Sequence, residues 1–417
     1  MKFNTALLHG NFSGDPETGA TLTPIYQSSA FAHADAEKME AIFRNRAPGF
    51  SYTRINNPTV EAFEKRMAAL EGGVGAVACT SGMAAITLAI LNLVESGDEI
   101  VSSGGVFGGT LGLFHDLEAL GIETKIAAST APEAYGTAVT DKTKLIFVET
   151  IGNPKLDVPD ISAIAEIAHT RGIPLIVDNT VATPFLIRPG EYGADIVVHS
   201  VSKYINGSGN SIGGVIIDTG RFQWSAERHP GLRETEKLGR FAYLAKLRTG
   251  LFRNFGSCFS PFGAYLSSLG LETLGIRMER LCSNAALLAE HLSNNLLFSE
   301  GAVNYPGLTV NPWHETAKKQ FRGGYGALLT LRAGSKERAF RLINALKLAA
   351  NVSNIGDTRT LVIHPASTIY AFSSSAQIET AGVYDDLIRI SVGLEDIEDL
   401  RDDFDRATKA MNDGVSQ

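Results

Sequence analysis

The chain has 417 residues, of which 44% are hydrophobic and 20% are charged, and its formal net charge at pH 7 is −8. This length suffices for two domains and a large core, and the composition is that of a soluble globular protein. The negative charge argues against nucleic acid or an anionic membrane as a partner. No run approaches membrane-spanning length and no signal-like segment opens the sequence, so we expect a cytoplasmic protein. Three cysteines without metal-ligand spacing indicate a reducing compartment and no metal site.

Three regions follow one another along the chain. Residues 1–58 are rich in Thr, Gly and Pro, which predicts an extended arm with one short helix near Ala36–Phe43 and too little apolar periodicity to pack on its own domain. Residues 59–255 alternate strand-like and helix-like runs, which predicts a mainly parallel sheet between helices. The helix-like and strand-like runs of residues 256–417 predict a smaller α/β domain. The predicted strands of the middle region are Val74–Cys79, Glu99–Ser102, Leu145–Glu149, Leu175–Asp178, Ile196–His199 and Gly214–Asp218. The predicted helices and strands of the last region are Leu281–Leu296, Lys336–Leu348 and Ile397–Met411, and Gly326–Leu331, Thr360–Ile363 and Asp386–Val392.

The first candidate ligand site along the chain is the segment Thr80-Ser81-Gly82-Met83. A short apolar run precedes it and an Ala/Leu/Ile helix follows it. The free N–H groups of Gly82 and Met83 and the positive helix end offer a place for a phosphate. The alternative is an ordinary serine N-cap, which the segment by itself favours.

A second candidate is Asp178, which ends the buried-strand run 173–177. A carboxylate there can pair with a protonated pyridine nitrogen, which makes pyridoxal 5′-phosphate (PLP) an electron sink. A lone Asp at a strand end is more often a cap or a turn former.

The next apolar run is followed by Ser200, Ser202 and Lys203. In open α/β sheets ligands bind at the carboxyl ends of the strands. A lysine with two hydroxyls nearby suits a Schiff base to an aldehyde cofactor that carries a phosphate, although a lone lysine is more often an exposed surface residue. Together with Asp178 on the preceding strand, Lys203 favours PLP.

These segments resemble the Cys/Met-metabolism, or transsulfuration, family of PLP-dependent enzymes. The resemblance implies the PLP-dependent transferase fold of type I, with a mainly parallel seven-stranded sheet between helices and a smaller C-terminal α/β domain. It also implies a homo-oligomer, a tetramer built from dimers with shared active sites. The segments that carry it are Thr23–Ser28, Tyr52–Thr59, Thr80–Ala85, Glu149–Pro154, Asp178–Pro184, Ser200–Tyr204 and Arg389–Glu395.

The resemblance implies roles for single residues. Lys203 would hold PLP as a Schiff base and then move protons, Asp178 would hold the pyridine N–H, and Tyr52 would assist catalysis. Arg389 would bind the substrate α-carboxylate, although a lone strand arginine is more often a salt-bridging surface residue. Substrate contacts would also come from Asn354 and Tyr52. The other cofactor contacts would be Gly82, Met83, Phe107, Asn153 (on the phenolic oxygen), Thr180, Ser200, Ser202, Tyr52 and Arg54.

Three of these positions carry specific expectations. Tyr52 and Arg54 lie in the arm, and in the family the matching Tyr-x-Arg reaches the phosphate of a neighbouring subunit, where the planar guanidinium matches two oxygens. An exposed loop arginine is the alternative. Phe107 stands where most relatives carry a Tyr stacked on the cofactor ring, so that the stack remains and the hydroxyl is lost.

Further features point to the acylhomoserine sulfhydrylase branch. Asn354 replaces the Ser that is usual in cystathionine enzymes and methionine γ-lyases, and Gly109 replaces the reactive Cys of the γ-lyases. The segments 220–247, 251–278 and 361–368 also resemble that branch, whereas Ile369-Tyr370 departs from its usual Thr-His. The expected reaction is γ-replacement, in which O-acetyl-L-homoserine and sulfide give L-homocysteine and acetate, with a succinyl donor left open. Two alternatives are a cystathionine γ-synthase or γ-lyase and a PLP-fold binding or regulatory protein without turnover.

Overall fold

The computed structural model describes residues 1–10, 14–15 and 17–413. Residues 11–13 and 16 of the predicted arm, and residues 414–417 of the predicted last region, lie outside the described residues. The division of the chain at residues 58 and 255 stays a prediction.

The arm contains two helices, α1 (Phe3–His9) and α2 (Ala36–Phe43). The second has the predicted bounds and begins where the Asp35 side chain accepts the Lys38 N–H. The first was not predicted, and it packs on its own chain. Leu7 is buried in the core, and its carbonyl accepts a hydrogen bond of 2.6 Å from Arg66. The expectation that the arm does not pack on its own domain is therefore wrong for α1, where Phe3 and Ala6 pack on the same core as Leu7.

A seven-stranded sheet forms the centre of the molecule. Its strand order is β1-β7-β6-β5-β4-β2-β3; β7 is antiparallel to both neighbours, and the remaining pairs are parallel. The mainly parallel seven-stranded sheet of the fold type I enzymes is thus confirmed. The strands are β1 (Gly75–Cys79), β2 (Glu99–Ser103), β3 (Glu123–Ala127), β4 (Thr143–Glu149), β5 (Leu175–Asp178), β6 (Ile196–Ser200) and β7 (Gly214–Asp218).

Helices cover both faces of this sheet, which is why its inner strands, such as β5 and β6, read as continuous apolar runs. Successive strand residues enter opposite cores: Val177 and Val197 lie in one apolar cluster, Ile176 and Val198 in the other. The helices outside the arm, up to the second sheet, are α3 (Pro58–Glu71), α4 (Gly82–Leu91), α5 (Gly108–Glu118), α6 (Pro132–Ala138), α7 (Ile161–Thr170), α8 (Thr183–Leu186), α9 (Ala242–Thr249) and α10 (Leu251–Phe255).

A smaller five-stranded sheet with its own helices follows. Its order is β10-β11-β12-β9-β8, so that β12 lies at its centre. The strands are β8 (Val303–Asn304), β9 (Leu328–Arg332), β10 (Ala350–Asn351), β11 (Leu361–Ile363) and β12 (Leu387–Ser391). The helices are α11 (Pro261–Glu272), α12 (Leu274–Ser293), α13 (His314–Gln320), α14 (Lys336–Ala345), α15 (Ser375–Thr380) and α16 (Ile397–Asp413). None of the helices within the described ranges combines the length and the apolar character that crossing a membrane requires.

Candidate active site

A cavity of about 270 Å³ opens at the carboxyl ends of β4, β5 and β6. The amino end of α4 closes one side of it, and loops next to the second sheet close another. Most of the predicted site residues line this cavity: Gly82, Met83, Phe107, Asn153, Asp178, Thr180, Ser200, Lys203, Asn354 and Arg389.

Lys203 lies in the turn that follows β6. Its Nζ donates a hydrogen bond of 2.6 Å to the side-chain oxygen of Asn354. Burial, together with the positive charge of Arg389, lowers the pKa of the Lys203 amine to about 8. About a tenth of this amine is therefore unprotonated at pH 7, compared with roughly 1 in 2,500 for an ordinary lysine, and the unprotonated form is the one that can act as a nucleophile or a base.

The loop that carries Asn354 approaches the backbone of Lys203 very closely. Gly356 has φ +74°, and a Cβ there would lie 2.6 Å from the backbone nitrogen of Tyr204 and 3.0 Å from the carbonyl carbon of Lys203. Only glycine adopts this conformation without strain and also fits the space. This glycine lets Asn354, which is 151 residues distant in sequence, reach the amine.

Two carboxyl groups lie side by side in the cavity wall. Glu149 ends β4 and Asp178 ends β5, and the two residues are register partners. Burial and the charge of Asp178 raise the pKa of Glu149 well above its usual range. Burial also raises the pKa of Asp178, although hydrogen bonds from Thr180 and the charge of His199 oppose this. One Asp178 oxygen accepts the Thr180 N–H at 2.8 Å, so that the other is available to a cationic N–H group.

Arg389 lies on the central strand β12 and is 3% exposed. Its guanidinium donates to the Asn153 side-chain oxygen at 3.0 Å and to the Asn354 carbonyl at 3.1 Å. Burial lowers its pKa to about 10. Both of these partners are neutral, and a buried cation is costly unless it is paired. The arrangement suits an anionic ligand, and the planar fork of the guanidinium matches a carboxylate.

The amino end of α4 forms the opposite edge. Ser81 caps this helix by accepting the Ala84 N–H at 3.1 Å, and the first N–H groups of a helix have no partner within it. A Cβ on Gly82 would lie 2.6 Å from the Ser200 Cβ. The glycine therefore lets the helix end approach Ser200, and the two create a compact cradle of N–H and O–H donors.

Phe107 precedes α5 and is held through its backbone. Its N–H donates to a Glu149 carboxyl oxygen at 2.7 Å, and the two residues both line the cavity. Glu149 belongs to the family segment Glu149–Pro154, from which no role for its side chain is predicted. Its place in the site could have been inferred from its position at the end of a buried strand, which matches the position of Asp178 on the next strand.

Three predicted site residues do not line this cavity. Tyr52 is 43% exposed and Arg54 is also exposed. The Arg54 guanidinium lies 5.5 Å from the Tyr52 ring and donates to the Arg253 carbonyl at 2.6 Å. The Ser202 hydroxyl accepts the Gly213 N–H at 3.0 Å and donates to the Gly213 carbonyl at 3.2 Å. The predicted phosphate contacts of these residues stay predictions.

Apolar side chains complete the wall. No sequence pattern distinguishes them, because an aliphatic residue in a helix or after a strand is equally typical of the core. They are Ile86, Ile151, Val181, Ile355 and Ile369. Within the described ranges, no three His, Cys, Asp or Glu side chains gather in a way that could hold a metal ion.

The family comparison agrees with this geometry. Residues 4–409 match the model of the "Cys/Met metabolism PLP-dependent enzyme" family. The chain belongs to this family. Its cofactor is PLP, and the resemblance noted from the sequence is confirmed.

Individual relatives of the family match over nearly their whole length. The chain is 42% identical to a homocysteine synthase of Schizosaccharomyces pombe over 420 residues, 97% of each chain. It is 43% identical to an O-acetyl-L-homoserine sulfhydrylase of Corynebacterium glutamicum over 427 residues, which cover 98% of this chain and 97% of the relative. An O-acetylhomoserine (thiol)-lyase structure from Campylobacter jejuni has a TM-score of 0.93 and 33% identity, covers 98% of this chain and 100% of its own, and contains N′-pyridoxyl-lysine-5′-monophosphate.

The cavity residues fit PLP on structural grounds. The depressed pKa of Lys203 suits imine formation with an aldehyde, and the available Asp178 oxygen suits a protonated ring nitrogen. The cradle of Gly82 and Ser200, which a Cβ would fill, suits a phosphate at the helix end.

Proposed function

We propose that this chain catalyses γ-replacement, in which O-acetyl-L-homoserine and sulfide give L-homocysteine and acetate. The observation that carries the proposal is the identity of 41–43% over nearly the whole chain to relatives named homocysteine synthase or O-acetyl-L-homoserine sulfhydrylase. The cavity supports it with the amine, the carboxylate and the guanidinium that this chemistry needs.

The charges of the cavity favour an acetyl over a succinyl donor. Among the described residues that line it, the cations are Lys203 and Arg389. Lys203 is assigned to the cofactor, so that Arg389 is left for one carboxylate, the α-carboxylate of the amino acid. A succinyl group would bring a second carboxylate into a wall whose other ionisable groups are the carboxyl groups of Glu149 and Asp178, and a buried unpaired charge is costly.

In the proposed mechanism each side chain has a limited task. When bound, PLP supplies an electron sink for the carbon acid chemistry. Arg389 binds the substrate α-carboxylate and fixes the direction of the Cα–H bond. Lys203 Nζ takes protons from substrate Cα and Cβ and returns them after acetate leaves Cγ and sulfide adds there. Asp178 holds the pyridine N–H, and the side-chain oxygen of Asn354 orients Nζ at 2.6 Å.

We also propose how the active chain is assembled and located. It would form a tetramer built from dimers in the cytoplasm, with Tyr52 and Arg54 serving the phosphate site of a neighbouring subunit. Both residues are exposed and neither lines the cavity of its own subunit, which supports a contact with a second subunit.

A substrate panel on the purified PLP-loaded protein tests the function. O-acetyl-L-homoserine and O-succinyl-L-homoserine are each combined with sulfide, with cysteine, or with no nucleophile. We expect homocysteine from the acetyl ester and sulfide, with kcat/KM at least tenfold above every other pair. Cystathionine as the main product, 2-oxobutanoate without a nucleophile, or no turnover of any pair would each overturn the proposal. Lys203→Ala is the blank for background reactions of the ester.

A further inference from the structure

Beneath the cavity, three polar side chains meet in the interior. The Glu71 carboxylate oxygen Oε1 is 2.7 Å from His199 Nε2 and accepts a hydrogen bond of 2.9 Å from Asn179 Nδ2. The side chains of Glu71 and His199 have no exposed surface, and Asn179 is also fully buried. None of the three lines the cavity.

This cluster is costly for the fold. Glu71 is the last residue of α3, and a carboxylate at the carboxyl end of a helix is opposed by the helix dipole. Glu71 Oε2, Asn179 Oδ1 and His199 Nδ1 find no hydrogen-bonding partner among the described residues. A buried carboxylate–histidine pair is weak evidence for stability, because the cost of desolvating the two groups offsets the gain from their interaction. Stability therefore does not explain why these three polar side chains are buried together.

The position of this cluster in the sheet suggests a role in the active site. Asn179 directly follows Asp178 at the end of β5, and His199 directly precedes Ser200 at the end of β6. The two strands are parallel neighbours. One Glu71 oxygen thus binds the residue next to the proposed pyridine partner and the residue next to the proposed phosphate partner. His199 also affects the proposed pyridine partner electrostatically. Burial raises the pKa of Asp178, and the charge of His199 opposes that rise.

We propose that Glu71 is a positioning residue of the active site, which clamps Asn179 and His199 and so holds Asp178 and Ser200 at the spacing that PLP requires. The inference rests on the assignment of Asp178 and Ser200 to PLP. It does not depend on which acyl donor or sulfur source the enzyme uses.

The chain offers a matched control at the opposite ends of the same strands. The Asp195 carboxylate is 1% exposed and accepts hydrogen bonds from the Leu175 N–H at 2.8 Å and from His169 at 2.9 Å. Through the Leu175 N–H this carboxylate links the start of β5 to the residue before β6, and through His169 it also contacts α7, at the edge remote from the cavity. Asp195→Asn reports what the loss of such a pair costs the fold alone.

The test compares Glu71→Gln with Asp195→Asn as apo proteins. PLP is removed with hydroxylamine, and its dissociation constant is measured by equilibrium dialysis, alongside the thermal midpoint and the visible absorption band of the reloaded protein. We expect both variants to unfold at a lower temperature. Only Glu71→Gln should bind PLP at least tenfold more weakly and show an altered band, since the band reports the ring environment and not the stability.

A loss of PLP affinity in Glu71→Gln no greater than that in Asp195→Asn, with a wild-type band, would overturn the inference. Should Glu71→Gln fail to fold, Asn179→Ala removes one donor of the clamp and is judged by the same two readouts. Because neither readout involves substrate turnover, this test can fail while the proposed reaction stands, and the reverse also holds.

Discussion

Replacing Gly82 by Ala perturbs the proposed phosphate cradle with a single methyl group. The added Cβ would lie 2.6 Å from the Ser200 Cβ and 2.9 Å from both the Ser200 Cα and the Ser200 hydroxyl oxygen. Carbon atoms in contact prefer about 3.5 to 4.0 Å, so the amino end of α4 and the end of β6 must separate by roughly 1 Å. The obstructing atoms include backbone, which cannot rotate out of the way.

The expected magnitude follows from this displacement. Overpacking of this kind costs about 1 to 3 kcal/mol of folding stability. A shift of roughly 1 Å also lengthens hydrogen bonds from the helix end to the phosphate, and a hydrogen bond to a charged group contributes about 1.5 to 3 kcal/mol. Loss of one such bond weakens PLP binding by about tenfold to a hundredfold.

Titration of the apo protein with PLP, followed by the visible absorption of the bound cofactor, measures this loss. Gly112→Ala is the matched control, because Gly112 is an exposed residue of α5 with open space around its missing Cβ. It should leave PLP affinity unchanged and stabilise the protein by up to about 1 kcal/mol. Wild-type PLP affinity in Gly82→Ala would refute the assignment of this cradle to the phosphate.

Further predictions concern charged side chains of the site. The rate of PLP attachment to the apo protein should rise with pH through about 8 and level off above it, because only unprotonated Lys203 Nζ attacks the aldehyde and its pKa is lowered to about 8; a midpoint near pH 10, as for an ordinary lysine, would contradict this. Lys203→Ala should lose borohydride-sensitive visible absorption and all turnover, whereas more than a trace of activity excludes its role. Asp178→Asn should retain PLP but lose about 3 kcal/mol or more of transition-state stabilisation, and a near-normal kcat would exclude the pyridine-nitrogen role. Mixed Arg54→Ala and Lys203→Ala subunits should regain part of the activity in verified hybrid dimers, and their failure to do so would count against a shared site.

Strands buried on both faces were predictable, and exposed ones were not. Leu175–Asp178 and Gly214–Asp218 have the predicted bounds, because an uninterrupted apolar run can only be buried. The edge strand β3 (Glu123–Ala127) was missed. It is half exposed, and its Glu123 and Lys125 pair on the surface at 2.6 Å, so that no apolar pattern marks it. The two-residue strands β8 and β10 are too short to show a period of two.

The residues of the site were also predictable only in part. Residues that end buried strands, such as Asp178, and motif glycines, such as Gly82, could be placed from sequence because strand ends and helix starts converge at one sheet edge. The Lys203–Asn354 hydrogen bond and the pairing of Arg389 with Asn153 could not be predicted, since no local sequence pattern specifies which distant segments meet. The role of Glu71 could not be predicted from the sequence either, because an acidic residue at the end of a helix is usually solvated.

The long separation of these partners has a consequence for biosynthesis. Lys203 binds Asn354 across 151 residues, and Arg389 binds Asn153 across 236. Chains are made from the amino end at about 5 to 20 residues per second, and folding begins before synthesis ends. The large sheet can therefore form on the ribosome while its lysine still lacks its hydrogen-bond acceptor, part of the burial that lowers its pKa, and the neighbouring guanidinium that lowers it further. We therefore expect a nascent chain to accept the coenzyme slowly until Arg389 has emerged, so that most coenzyme loading falls in the last steps of maturation.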